Sequence, residues 1–427
     1  MSRIVIAIIG SLGDLHPKIA IALELRKRGH QVVFATHQEY QSRVEALGFE
    51  FHRMRPDNLM LNDPQMAARM MDLRTGSKYV INWLGARLRE TYTDLMSIAK
   101  DADFILAGEL VYAARLVAEM LKIRWALGVL QPTSFFSAYD PPVRAEYPFL
   151  AKLRMLGPRF NRGVVQFAKL VSQSWAQPIY QLRSELGLPP LFGNPLIDDK
   201  YSPYLVLALF SPLMVKPQPD WVANEIATGF TFYDGSQEME PNSELLQFLN
   251  AGEPPIVFTL GSSAVFTPDN FYQESIQAAN RLNRRAVLLM GKNAPPANLS
   301  QNIIAVNYAP YSQIFSRACA VVHQGGIGTT AQALRAGRPT LVIPYSHDQP
   351  DNAARVERLG TSRTLSRKQY STPRIVKELN ELFANPNYAA KATEIGRLIH
   401  AEDGVGVACD AIEKQLIPIP KNKPSEY

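Results

Sequence analysis

The sequence lacks the features that mark secreted and membrane-spanning proteins. It holds two cysteines in 427 residues, which argues against a disulfide framework and agrees with a reducing cytosol. No apolar run approaches the ~18 residues that a membrane span needs. The first apolar run, Ile4–Ile9, ends in a glycine-containing turn with no signal-peptide cleavage site after it. We therefore expect a cytoplasmic protein whose only membrane contact is peripheral, at the inner face.

Signatures of several enzyme classes are also missing. The seven histidines show no spacing typical of metal ligands, and no Ser-His-Asp or paired catalytic cysteine pattern is visible. The first glycine-containing loop, Gly10–Pro17, lacks the G-x-G-x-x-G spacing of dinucleotide-binding folds. These absences argue against a dehydrogenase, and we expect neither a metal nor a cofactor.

Acidic residues are absent from 148–184, where basic and apolar residues interleave. The basic residues of this stretch are Lys152, Arg154, Arg159, Arg162, Lys169 and Arg183. A solvated helix face is the plain interpretation, and a surface for anionic lipid or an acidic acceptor is the alternative. No nucleic-acid-binding motif accompanies the charge, so nucleic acid is not an expected partner.

Two α/β series follow one another along the chain. The first opens as strand, loop, helix and strand, with Pro17 expected to start the helix, and the second begins at Ile256–Leu260. The βαβ pattern predicts parallel sheets. We place one Rossmann-like domain in residues 1–218 and a second in 219–403, and we expect a C-terminal helix within 404–427 to pack back on the first domain.

The densest motif runs from Ala320 to Pro344. A strand ends at His323, three glycines form a turn, and Thr329 opens an alanine-rich helix. The glycines, Gly325, Gly326 and Gly328, allow a ligand to approach the backbone closely, and the helix N-terminus attracts anions. With a hydroxyl from Thr329 and a ring N–H from His323, this loop is suited to a diphosphate.

A carboxylate and an amide follow the next predicted strand, at Asp348 and Gln349. Ligands in parallel α/β sheets bind beyond the carboxyl ends of the strands, so this pair belongs to the same edge as His323. Neighbouring carboxylate and amide groups can bridge vicinal sugar hydroxyls.

Together these motifs resemble the donor-binding signature of family 1 glycosyltransferases, the UDP-glycosyltransferase superfamily. The resemblance implies the GT-B fold, in which two Rossmann-like domains face each other across a cleft. It gives Tyr308 the role of the aromatic residue that stacks on the nucleotide base, and makes Ser262, in the Val257–Ser263 strand and turn, a phosphate contact. It assigns His323 and the glycine loop to the diphosphate, and Asp348 and Gln349 to the donor sugar.

The sequence departs from the family pattern at one position. Many members have a Glu that binds both ribose hydroxyls, whereas this chain has Gln332, and a neutral amide holds a diol less firmly than a carboxylate does. Both UDP- and dTDP-linked donors therefore stay open. Within the family the motifs most resemble rhamnosyltransferases of rhamnolipid synthesis, which use dTDP-rhamnose and a lipidic hydroxy acid, but the substrates of this chain do not follow from that resemblance.

Transfer of a sugar to a hydroxyl needs a general base. The loop Gly10–Pro17 offers Asp14 and His16, with Gly13 beside the donor. The resemblance places the family's catalytic position on Asp14, and His16 is the reserve because its ordinary pKa suits the task. The non-catalytic alternatives are helix capping for Asp14 and solvent exposure for His16.

The resemblance implies that the acceptor binds in the first domain. Candidate walls are the aromatic stretches Tyr79–Leu84, Phe135–Tyr139 and 149–175, with Phe135, Phe136 and Tyr139 as specific candidates. We therefore expect an inverting transfer of a hexose or deoxyhexose to a small hydrophobic or amphipathic acceptor. The alternatives are a nucleotide-sugar epimerase on the same scaffold and a non-catalytic accessory protein that binds nucleotide sugar.

Overall fold

The structure, a computed structural model, describes residues 1–57, 63–144, 146–147, 149–235 and 243–417. Two parallel sheets dominate it, each flanked by helices. All strand pairings within both sheets are parallel, and the central strands of each sheet consist almost entirely of buried apolar residues, whereas several edge strands are partly exposed. Such runs are typical of sheets that helices cover on both faces.

The first lobe holds a seven-stranded sheet with the order β3-β2-β1-β4-β5-β6-β7. Its strands are β1 Arg3–Ala7, β2 Gln31–Thr36, β3 Glu50–Arg53, β4 Phe104–Gly108, β5 Arg124–Val129, β6 Leu205–Ala208 and β7 Glu225–Ala227. Its helices are α1 Leu12–Lys27, α2 Gln41–Ala46, α3 Pro64–Met70, α4 Gly76–Gly85, α5 Leu88–Ile98, α6 Ala113–Leu121, α7 Leu150–Leu153, α8 Pro158–Ser172 and α9 Gln177–Glu185.

The second lobe holds a six-stranded sheet with the order β10-β9-β8-β11-β12-β13. Its strands are β8 Ile256–Thr259, β9 Ala286–Leu289, β10 Ile303–Val306, β11 Ala320–His323, β12 Thr340–Val342 and β13 Ser362–Thr364. The remaining helices are α10 Ser243–Asn250, α11 Phe271–Arg281, α12 Tyr311–Ile314, α13 Ile327–Arg335, α14 Gln349–Arg358, α15 Thr372–Ala384, α16 Pro386–His400 and α17 Gly404–Leu416.

Strand order reverses direction at β1/β4 in the first sheet and at β8/β11 in the second. In doubly wound sheets, ligands bind in the crevice beyond the carboxyl ends of the strands at such switch points. The loops after these four strands therefore position the site.

The first sheet extends beyond the predicted domain boundary. The short strand β7 pairs with β6, so the chain leaves the first sheet after Ala227 and not at 218/219. β7 has three residues in a region rich in proline and glycine, and a run that short carries no readable alternation. Residues 236–242 lie outside the described residues.

The first helix also begins earlier than predicted. It starts at Leu12, and Pro17 lies inside it. The Ser11 hydroxyl accepts a hydrogen bond from the Gly13 N–H at 3.2 Å, which caps the helix one turn before the proline.

Helix α17 returns from the second lobe and lies against α1. Arg28, which directly follows α1, pairs with Asp410 at 2.5 Å and with Glu413 at 2.8 Å, and Cys409 is buried in the same interface near the Ile21 carbonyl. Residues 418–427 of the predicted C-terminal segment lie outside the described residues. None of the described helices is long and apolar enough to cross a bilayer.

A buried ion network joins the two lobes near the cleft. Arg355 of α14, 2% exposed, pairs with Asp351 at 2.7 Å and also with Asp140 of the first lobe. The Val143 N–H donates to Asp351 at 2.9 Å. These contacts fix α14, and the loop before it, against the first lobe.

Candidate active site

A cavity of 1160 Å³ lies between the lobes and receives residues from both. Nine of the residues predicted from the sequence line it: Gly13, Asp14, Phe136, Ser262, Gly326, Gly328, Thr329, Asp348 and Gln349. The N-termini of α1 and α13 approach each other here, since a Cβ added to Gly328 would lie 4.0 Å from the Gly13 Cα. The cavity thus brings the proposed base and the glycine loop to one place.

Asp14 is held at the N-terminus of α1 by a capping box. Its carboxylate accepts a hydrogen bond from the Ser11 N–H at 2.8 Å, while the Ser11 hydroxyl caps the helix. Asp14 therefore does take part in capping the helix, as the non-catalytic alternative predicts, and the capping hydrogen bond also orients its side chain. Gly10, with φ of +144°, leaves the space that the carboxylate fills, because an added Cβ would lie 2.5 Å from the Asp14 Cγ.

Opposing effects act on the pKa of Asp14. Burial raises it, the Lys18 ammonium and the hydrogen bonds from Ser11 lower it, and the Glu109 carboxylate raises it again. The net result is a pKa of Asp14 above its ordinary value. A carboxylate with a raised pKa is a stronger proton acceptor, as a general base near neutral pH requires.

His16 does not reach the cavity. It lies two residues further along α1, on another face of the helix, where its Nε2 accepts a hydrogen bond from Arg43 at 3.0 Å. Its ring packs edge-on against Tyr233, with centroids 5.4 Å apart. Burial and the Arg43 charge lower its pKa to about 4. His16 is therefore a packed structural residue, which corrects both its reserve role and the expectation of solvent exposure.

A charged floor that the sequence motifs did not reveal lies under Asp14. Lys18 is fully buried on α1, and its Nζ donates to the Asp14 carbonyl at 3.4 Å. Glu109 follows β4, directly beside the loop after β1, and pairs with Lys200 at 3.3 Å. The strand order brings these side chains together, and no local motif signals them.

The glycine loop after β11 forms an anion-binding geometry. Gly325 has φ of +87°, and its N–H donates to the His323 Nδ1 at 3.0 Å. Because Nδ1 accepts, the proton of the neutral ring is on Nε2. Among the described residues, this buried Nε2 has no partner. Burial lowers the pKa of His323 to about 3, so it is a neutral donor.

Two predicted members of this loop, His323 and Gly325, lie behind the cavity wall and not in it. Gln324, which the sequence motifs did not single out, stands in the wall. It is 4% exposed and packs so closely on Gly261 that an added Cβ there would lie 3.1 Å from the amide carbon. Gln324 thus joins the glycine loop to the loop that carries Ser262.

The two aromatic residues after β10 differ in exposure. Tyr308 is 40% exposed, as a ring that stacks on a planar ligand requires, but it does not line the cavity. Tyr311 is enclosed instead, with its hydroxyl 3.1 Å from the Thr259 hydroxyl and its ring stacked on Phe315. Tyr311 therefore braces the strand end beside the phosphate loop.

Asp348 and Gln349 begin α14 at the cavity edge. The Asp348 carboxylate accepts from Asn352 at 2.6 Å, and burial raises its pKa to about 7. The Gln349 amide oxygen accepts from the Tyr345 N–H at 2.8 Å, which fixes the side chain. Asp14 and Asp348 both line the cavity, and the nearby charge of Asp14 contributes to the raised pKa of Asp348.

Gln332 does not line the cavity. Its amide lies on α13 and donates to Asp234 at 3.4 Å, while Arg335 binds the same carboxylate at 2.8 and 3.0 Å. Gln332 stands where many family members have a Glu, and the Asp234 carboxylate, from another segment of the chain, lies beside it.

The three aromatic residues predicted to contact the acceptor lie in different environments in the structure. Phe136, with φ of +48°, lines the cavity. Phe135 is buried and stacks on Trp221 with ring centroids 4.0 Å apart, so it belongs to the core. Tyr139 is 46% exposed and lies outside the cavity wall. Only Phe136 therefore stays a candidate for acceptor contact.

The apolar side of the cavity is built by α4, α7 and α8. Its walls include Val80, Ile81, Trp83 and Leu84 of α4 and Phe160, Val164 and Phe167 of α8. Both segments lie within the stretches predicted for the acceptor. Among the described residues, no group of three or more His, Cys, Asp or Glu side chains could hold a metal, and metal independence stays a prediction.

Two switch-point loops facing each other, one with a carboxylate and one with a helix N-terminus, define a two-lobed transferase of the GT-B type. Comparisons with known proteins agree. Residues 4–132 match the glycosyltransferase family 28 N-terminal domain. Residues 274–403 match the erythromycin biosynthesis protein CIII-like C-terminal domain.

Full-length relatives extend this likeness. O-mycaminosyltylonolide 6-deoxyallosyltransferase of Streptomyces fradiae is 30% identical, over 96% of this chain and 97% of the relative. A sterol 3-beta-glucosyltransferase of Arabidopsis thaliana is 28% identical, over 97% of this chain and 66% of the plant enzyme. The chain belongs to the family 1 glycosyltransferases.

Solved structures share the fold. The glycotransferase of kitacinnamycin superposes with a TM-score of 0.74 at 20% identity, covering 97% of this chain and 99% of that one. The glycosyltransferase VinC in complex with dTDP gives 0.69 at 17% identity, covering 97% and 99%. These findings confirm the predicted GT-B fold and the predicted transferase class.

Proposed function

We propose that this enzyme transfers a hexose or deoxyhexose from a nucleoside diphosphate to a hydroxyl group of a small hydrophobic acceptor, with inversion at the anomeric carbon. The observation that carries the proposal is the position of Asp14 across the cavity from the N-terminus of α13. A base on one side and an anion site on the other suit an attack from the face opposite the leaving group.

Proton removal and the exchange of bonds at the anomeric carbon occur together in this scheme. Asp14 accepts the proton of the acceptor hydroxyl as its oxygen attacks the anomeric carbon, and the bond from that carbon to the diphosphate oxygen breaks. The transition state has oxocarbenium character, so removal of the proton and departure of the diphosphate accompany each other. The capping hydrogen bond from Ser11 keeps the carboxylate oriented before substrate arrives.

The leaving diphosphate develops negative charge that the second lobe stabilises. Backbone N–H groups at the start of α13, the Thr329 hydroxyl and the Nε2–H of His323 provide donors. The His323 Nε2–H has no partner among the described residues, and we propose that it donates to a phosphate oxygen although its ring does not line the cavity. Asp348 and Gln349 hold the hydroxyls of the donor sugar.

The nucleotide is proposed to be dTDP or UDP. The solved relative named above contains dTDP, and a spinosyn rhamnosyltransferase was solved with thymidine diphosphate. Tyr308 offers an exposed ring for the base, and Asp234, held beside Gln332, offers a carboxylate near the ribose position. We propose dTDP-rhamnose as the first donor to test.

The acceptor is proposed to be apolar because α4 and α8 present mainly aliphatic and aromatic side chains to the cavity. The volume of 1160 Å³ exceeds what a monosaccharide needs, which leaves room for an extended hydrophobic acceptor. Phe136, beneath Lys200 and Arg144, closes the polar end of this space.

A donor screen by mass spectrometry tests the proposal. Purified protein with EDTA is offered dTDP-rhamnose and UDP-glucose with hydrophobic hydroxy acids, sterols and phenols, beside Asp14→Asn as a matched control. We expect a new glycoside of inverted anomeric configuration that the variant does not form. Donor isomerisation without acceptor would indicate an epimerase. Nucleotide binding without turnover across the panel would favour the accessory-protein alternative.

A further inference from the structure

The surface formed by α7, α8 and the turn between them, residues 149–171, exposes an unusual amount of apolar side chain. We call it the α7–α8 face. Its most exposed apolar side chains are Phe149 at 57%, Met155 at 89%, Leu156 at 61%, Phe167 at 63% and Leu170 at 69%. Soluble monomers seldom expose apolar residues in such contiguity, and a patch of this kind marks an interaction surface.

The apolar residues of α8 follow one side of the helix. Phe160, Val164, Phe167 and Val171 recur at the spacing of an amphipathic helix. All four also line the cavity, yet Phe167 and Val171 remain 63% and 42% exposed. One apolar stripe therefore runs from the outer surface into the candidate acceptor site.

Positive charge borders this stripe. Lys152, Arg159 and Arg162 are exposed, and no carboxylate of the described residues forms an ion pair with them. By contrast, Lys169 and Arg183, at the far side of the basic stretch, are neutralised by Asp198 and Glu119. Within the basic stretch, the cations without an ion pair among the described residues therefore lie on the face that carries the exposed apolar side chains.

We propose that the α7–α8 face docks on an anionic lipid bilayer and that apolar acceptors pass from the bilayer along the α8 stripe into the cavity. Apolar side chains beside unpaired cations are what an interfacial helix presents to acidic lipid headgroups. A second copy of this chain fits less well, because a two-fold contact would bring like charges together without acids to match them. The acceptor route rests on the proposed function, whereas the docking itself does not.

The test is flotation of the full chain with vesicles of phosphatidylcholine alone and of phosphatidylcholine mixed with phosphatidylglycerol. Lys152→Glu/Arg162→Glu reverses charge outside the cavity wall, and Leu156→Ser/Leu170→Ser removes exposed apolar area outside it. Arg374→Glu/Lys377→Glu, at exposed positions of α15, is the charge-matched control. The melting temperature of each variant verifies folding.

We expect the wild type to float with the anionic vesicles and to be released by salt. Loss of two cations near the headgroups weakens partitioning by at least about 30-fold, and the control leaves it unchanged. Protein that stays in solution with both vesicle types overturns the proposal, as does equal binding by the charge-reversed variant. A dimer that Leu156→Ser/Leu170→Ser dissolves also overturns it. Vesicle binding is measured without turnover. A failure of the docking proposal can therefore be distinguished from a failure of the proposed reaction.

Discussion

Gly10→Ala should displace the Asp14 carboxylate and lower the transfer rate. The added Cβ would lie 2.5 Å from the Asp14 Cγ, whereas carbon atoms in contact are about 3.5 Å apart. The carboxylate must therefore retreat by about 1 Å. A displacement of that size at a reacting group lowers the rate by about 100-fold, and the backbone at φ of +144° adds about 1–3 kcal/mol of strain.

The matched control is Gly29→Ala. Gly29 also has positive φ, at +89°, but an added Cβ meets nothing within 4 Å there. Both variants should lose comparable stability in chemical denaturation, and only Gly10→Ala should lose turnover, measured as initial rates with the donor and acceptor that the screen identifies. Equal rate losses in the two variants, or a wild-type rate in Gly10→Ala, would refute the role given to the Asp14 position.

Three further variants examine the electrostatics of the site. Lys18→Met removes a cation that lowers the pKa of the base, so the acidic limb of the kcat/KM profile should move up by about 1–3 pH units while the rate at high pH recovers; an unmoved limb would contradict this. His323→Ala should lower kcat by about 100- to 1,000-fold, and because burial holds the pKa of His323 at about 3, no limb of the wild-type profile near neutral pH should belong to it. Asp348 has a pKa of about 7, and its ionised form accepts hydrogen bonds from sugar hydroxyls, so donor affinity in titration calorimetry should strengthen as the pH rises through that value. Asp348→Asn should remove this dependence and cost about 1.5–3 kcal/mol of binding at high pH.

Local patterns in the sequence predict the motif-bearing part of the fold. The segment around His323 combines a strand end, three glycines and a helix start, and each of these has a direct conformational cause. The strands β6, β7 and β13 were not predicted; β7 and β13 have three residues each, and polar side chains interrupt them so that neither forms an apolar run. Pro17 was misleading as a helix start because the cap at Ser11 outweighs it.

The floor of the site could not be predicted from local patterns. Glu109 and Lys200 lie far apart in the sequence, and only the order of β1, β4, β5 and β6 brings them beside the first loop. From the sequence, Lys18 is expected to be an ordinary surface lysine near the start of a helix, yet it is fully buried. The sequence also does not separate the neighbours Phe135 and Phe136: Phe135 stacks on Trp221 in the core, whereas Phe136, which has positive φ, lines the cavity.

In the proposed reaction, Asp14 takes the acceptor proton while the second lobe holds the donor. The most direct measurement compares Asp14→Asn with the wild type in two assays, dTDP binding by calorimetry and single-turnover transfer with a saturating donor. Asparagine retains an oxygen that can accept the Ser11 hydrogen bond, so the loop should keep its shape. We expect unchanged dTDP affinity and a transfer rate lower by about 100- to 10,000-fold. A transfer rate within a few-fold of the wild type, or a loss of dTDP binding that accounts for the whole defect, would contradict the proposal.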